Sequence, residues 1–73
     1  MKNLSTIQFN ILYEHCYDAL FFHLNKKHCV ENYNFITDFL NNVYYEPDDY
    51  DDSFDLYDEI VNEFITIAKI KAV

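Results

Sequence analysis

Acidic side chains dominate the residues whose type and spacing could do chemistry. Asp55, Glu59 and Glu63 recur at i, i+4 and i+8, with Asp58 beside them. On a helix this places carboxylates about 5–6 Å apart along one face. No lysine interleaves them, because the sequence has none between Lys27 and Lys69 and no arginine anywhere. Like charges at that spacing cost an isolated helix about 0.2–0.5 kcal/mol per pair. A sequence shaped only for stability would mix the signs. Just upstream lie Asp48, Asp49, Asp51 and Asp52, and Tyr44, Tyr45, Tyr50 and Tyr57 are threaded among the acids. Tyrosine offers a large, rigid contact with a polar tip and is enriched in interface hot spots. Carboxylates in a row can occupy the positions of successive phosphates in a basic groove, and their field speeds encounter. The chemistry expected is recognition of a basic surface. The plainer reading is a solvated face that keeps the chain in solution.

Other chemistries fit poorly. His15, Cys16, His23, His28 and Cys29 could ligate a metal. His15 and Cys16 diverge as helix neighbours, however, and Cys16 and His23 stand about 10.5 Å apart along a helix axis. Asp48 to Glu59 has the length and the ends of a calcium loop, yet Tyr50, Ser53 and Asp55 occupy positions that need a ligand, a glycine and an apolar residue. Without glycine the chain has no phosphate-cradling loop. His28 and Cys29 are adjacent, a poor geometry for a nucleophile and its base. No catalytic residue, metal or cofactor is expected. The protein is not expected to be an enzyme.

These residues need elements to hold them, and three helices are legible. Ser5-Thr6-Ile7-Gln8 is a capping box, flanked by Leu4 and Phe9 at the positions of a hydrophobic staple. The first helix is expected over 6–26. Phe9, Leu12, Tyr13, Cys16, Leu20 and Leu24 share one face, and Ile7, Ile11 and Phe22 form a narrower stripe nearly opposite. Such a helix either lies between two others or offers its second stripe as a further contact. A second helix is expected over 31–44, with Tyr33, Ile36, Phe39, Leu40 and Val43 inward and Tyr45 on the polar side, stopped by Pro47. An acidic linker, 46–52, leads to a third helix over 54–71 whose inner face carries Tyr57, Ile60, Val61, Phe64, Ile67 and Ala68. Lysines 69 and 71 suit its C-terminal dipole. The expected fold is all-α, a small three-helix bundle in a single domain, 1–73.

Composition sets the outer limits. Seventy-three residues with 51% hydrophobic and 19% aromatic content make one small folded domain. Thirteen acids against five lysines give a net charge of −8, which opposes direct binding to nucleic acid or to an anionic membrane. The charge is also lopsided. Residues 1–43 hold four acids and three lysines, whereas residues 44–73 hold nine acids and two lysines. With no signal peptide and no long apolar run, a cytoplasmic protein with two reduced cysteines is expected.

In size, charge and its acid–tyrosine surface, the chain resembles the small acidic proteins that phages encode against host defence, the anti-CRISPR and anti-restriction type. Locally, Val43-Tyr44-Tyr45-Glu46-Pro47, then Asp51-Asp52-Ser53 and Ile60-Val61, resemble the colicin nuclease immunity proteins. There a tyrosine pair before a proline leads through acids into the last helix and grips a basic nuclease. Both resemblances imply a protein inhibitor whose partner is a basic protein with a nucleic-acid groove, a nuclease or a CRISPR effector. Its contacts would be Tyr44, Tyr45, Asp48, Asp49, Tyr50, Asp51, Asp52, Asp55, Tyr57, Asp58, Glu59 and Glu63. The host-cell cytoplasm would be its location, as a monomer or weak homodimer. An immunity protein or antitoxin against a nuclease toxin, and a helical homo-oligomeric assembly module pairing through Ile7, Ile11 and Phe22, stand as alternatives.

Overall fold

A helix must satisfy the free amides of its first turn. Ser5 begins α1 (Thr6–Asp18) in the computed structural model, which describes residues 2–46 and 53–73. Its hydroxyl accepts from the Gln8 amide at 3.2 Å, and the Gln8 side chain accepts from the Ser5 amide at 2.8 Å. The capping box is therefore complete.

The expected helix over 6–26 is not one regular helix. After Asp18 the chain widens into a π-helical turn, Ala19–His23. Ala19, Leu20 and Phe21 are consecutive and all buried. Three successive residues sweep a wide arc at the α-helix step of about 100° per residue. The i→i+5 turn tightens that arc and brings all three inward. The helical path ends at Leu24, where Asn25 takes φ 55°. In a chain without glycine, asparagine is the residue best suited to this left-handed position. The Lys26 amide then bonds back to the Leu20 carbonyl at 3.0 Å.

α2 spans Val30–Asn41, shorter at its C-terminal end than the expected 31–44. Asn42 ends it by donating its side-chain amide to the Asp38 carbonyl at 2.7 Å. Tyr44 and Tyr45 then form a strand, β2, antiparallel to β1 (Lys2–Asn3), with Lys2 opposite Tyr45 and Asn3 opposite Tyr44. Tyr45, expected on a polar helical face, is half-buried against the core instead. Leaving the helix lets it turn inward, and its hydroxyl accepts from Gln8 Nε2 at 3.2 Å. α3 spans Ser53–Lys71. The linker expected over 46–52 falls, apart from Glu46, outside the described residues.

Among the described residues the fold is predominantly helical, three helices with a two-stranded sheet of two residues per strand. α1 lies centrally. α2 and α3 each pack closely on it, while their backbones approach each other far less. Leu12, Cys16 and Leu20 meet Ile36 and Leu40 of α2 and Leu56, Ile60, Phe64 and Ala68 of α3 in one core. These residues repeat every fourth position, the spacing that stacks side chains along one helix face. Between α2 and α3 the gap is bridged by rings, with Phe35 and Phe39 each centred 5.3 Å from Phe64.

Candidate protein-binding surface

The i, i+4 core of α3 dictates where its acids go. With Leu56, Ile60, Phe64 and Ala68 inward, Asp55, Asp58, Glu59 and Glu63 are all exposed. They do not form one patch. Glu59 and Glu63 turn toward α2 and, with Asp38, edge a groove of about 550 Å³. Its lining carries Phe35, Phe39, Val43, Ile60 and Ile67, together with Tyr44 and Tyr45. Asp58 turns the other way, into a second groove between α1 and α3 with Ile11, His15, Asp18, His23, Tyr57, Val61 and Ile65.

The tyrosines divide likewise. Tyr44 is exposed at the α2–α3 groove, and Tyr45 lines the same groove with its ring half-buried. Tyr57 belongs to the α1–α3 groove. Asp48, Asp49, Tyr50, Asp51 and Asp52 lie outside the described residues. Of the expected contacts, the structure therefore brings Tyr44, Tyr45, Glu59 and Glu63 together and sets Tyr57 and Asp58 apart.

The stripe of Ile7, Ile11 and Phe22 is divided as well. Ile7 is 73% and Phe22 65% exposed. The π turn carries Phe22 out of line with Ile11. The ring of Phe22 lies 6.1 Å from that of Tyr17, while His23 takes the place beside Ile11 in the α1–α3 groove.

The opposite end of the molecule holds features the sequence pattern did not single out. Asn32 is the one buried polar residue among those described. Its amide donates to the Lys27 carbonyl at 2.7 Å, and its oxygen accepts from the Val73 amide at 3.0 Å. Beside it, His28 stacks on Phe21 with centroids 4.0 Å apart, and Nδ1 shares a 3.0 Å hydrogen bond with the Tyr33 hydroxyl. Only the unbroken apolar run Ala19-Leu20-Phe21-Phe22 hinted at this packing, since a single α stripe cannot bury it.

Both cysteines are free thiols. Burial pushes Cys16 up from 9.0 to about 12, so it stays protonated at neutral pH. Burial and the neighbouring Tyr17 raise Tyr33. Glu31, in the first turn of α2, is held below the usual carboxylate range by its own backbone amide and the Cys29 thiol. Among the described residues no three His, Cys, Asp or Glu side chains converge to hold a metal ion. No helix among them is long and apolar enough to cross a membrane. Comparison with protein-family models, characterised proteins and solved structures returns no match.

Proposed function

We propose that this protein is a non-enzymatic inhibitor that binds a basic nucleic-acid-handling protein, a CRISPR effector or other nuclease, and blocks nucleic-acid access. A self-contained three-helix bundle acting in the cytoplasm is the scaffold we assign to it. The observation that carries the reading is the acid row on α3. Asp55, Glu59 and Glu63 recur every fourth residue on an exposed face, in a helix whose lysines, Lys69 and Lys71, both lie in its last turn. Exposed Tyr44 beside Glu59 and Glu63 adds an aromatic anchor at the groove. Carboxylates in such an array match a surface built for phosphates and steer association at low ionic strength.

The test is capture of partners from bacterial lysate at low and high salt, followed by nuclease assays with the captured protein. A basic nuclease that elutes with salt and is inhibited by the pure protein is the expected result. Replacing Asp55→Asn, Glu59→Gln and Glu63→Gln together should weaken inhibition at least about tenfold, a loss of about 1.4 kcal/mol or more in binding. Thermal stability should change little, because relief of the like-charge cost is offset by losing the favourable charge of Asp55 in the first turn of α3. Undiminished inhibition by the triple variant defeats the proposal.

A further inference from the structure

We propose that the groove between α2 and α3 receives a basic amphipathic helix of the partner. This inference rests on the acidic-surface reading above and specifies the element that is bound. Phe35, Phe39 and Ile67 give the groove an apolar wall, and all three are only half-buried in the free protein. Acids stand on both helices that border it, Asp38 on α2 and Glu59 and Glu63 on α3. The pattern calls for an occupant that is apolar along its centre and cationic on its flanks. A helix with apolar residues at i, i+3 or i+4 and i+7, and lysine or arginine beside them, has that form.

Geometry supports a helix over other shapes. The groove lining runs from Leu56 to Lys71 on α3, about 22 Å at the α-helical rise, and from Phe35 to Asn42 along α2, about 10 Å, so about two turns of a partner helix would have a helical wall on each side. It exists because α2 and α3 both pack on α1 and stand apart from each other, so a helix laid between them meets walls of its own kind. An extended segment would need a sheet edge to extend, and β2 has only two residues. A second copy of this chain would bring a net −8 of its own toward the same acids. The cation on the lining, Lys71, lies at the C-terminal end of α3, so the basic residues of the occupant belong toward Glu59 and Glu63.

Two synthetic peptides of about 18 residues provide the test. One is a leucine–lysine helix with its leucines on one face; the other has the same composition scrambled so that no face is apolar. Binding is read by fluorescence anisotropy and by amide chemical shifts of the full chain. The expected result is preferential binding of the amphipathic peptide, with shifts at Phe35, Phe39 and Ile67. Asp38→Lys with Glu63→Lys, a surface pair checked for fold by circular dichroism, should weaken that binding at least about tenfold. Equal binding of both peptides, with shifts confined to Asp55 and Asp58, overturns the groove while leaving the acidic-surface reading intact. Binding at Ile7 and Ile11, or no binding of either peptide, also overturns it. The lysate capture and triple variant decide the broader reading separately.

Discussion

The two ends of the molecule are closed by different means. At the end formed by the π turn, the start of α2 and the finish of α3, a fully buried asparagine ties a loop and the last residue together, and His28 stacks on Phe21 beside it. At the other end, a ladder of two residues per strand and the side-chain contact between Gln8 and Tyr45 help to hold the chain where α2 gives way to the acids. Buried polar groups carry high stakes because their loss leaves partners unsatisfied away from water. Exposed or half-exposed bonds compete with solvent and are worth less. Among the described residues, the buried side-chain hydrogen bonds of Asn32 lie at one end, while Tyr44 and the acid-edged groove lie at the other.

Breaking the closed end should have the largest effect. Asn32→Leu keeps the approximate volume but removes the bonds to Lys27 and Val73. A loss of about 2–3 kcal/mol is expected in urea unfolding. A cost under about 0.5 kcal/mol would show that water replaces those bonds and would erase the contrast between the ends.

Over the first pH unit above 9, the middle of α1 gives a pH-dependent effect of intermediate size. The Cys16 thiol titrates at about 12 when folded against 9.0 ordinarily. Above pH 9 the unfolded chain therefore binds fewer protons than the folded one, and stability falls as pH rises. The expected slope is about 1.4 kcal/mol per pH unit between about pH 9 and 12. Urea unfolding at pH 8, 9 and 10, repeated with Cys16→Ala as control, reads it. A Cys16→Ala variant with the same alkaline slope would assign the loss to another group.

The open end should respond least. Ser5→Ala removes the hydroxyl that accepts from the Gln8 amide, and about 1 kcal/mol of stability should go with it. If the loss instead equals that of Asn32→Leu, the two ends contribute equally to stability and the contrast between them is lost. Thermal melts of both variants, made side by side, give the comparison directly.

Much of the helical layout was legible because it rests on local rules. The capping box at Ser5, the inward rows of Leu12, Cys16 and Leu20, and the row of Ile60, Phe64 and Ala68 each follow from spacing within one helix. The features not foreseen depend on partners far away in sequence. Tyr44 and Tyr45 leave the helical path to pair with Lys2 and Asn3, a contact that no local pattern near residue 44 announces. Asn32 reads as an ordinary polar residue until the Val73 backbone reaches it from the far end of the chain. The π turn is an intermediate case: the run from Ala19 to Phe22 exceeds what one α stripe can bury, but its resolution needed His28 and Tyr33 to pack against Phe21.

The same division holds for the candidate surface. Sequence alone determined that the acids of α3 would be exposed and uninterrupted by lysine, because the i, i+4 apolar row leaves them no inward position. It left open whether α1, apolar on two sides, lies between two helices or offers its second stripe as a contact; Ile7 and Phe22 of that stripe are exposed. Only the tertiary structure decided that α2 and α3 stand apart across α1, that Glu59 and Glu63 face Asp38 over a groove with aromatic walls, and that Tyr57 and Asp58 belong to a different groove. Spacing along a helix fixes which residues share a face. What that face opposes depends on how the helices settle around a shared core, and that is decided by packing between residues distant in the chain.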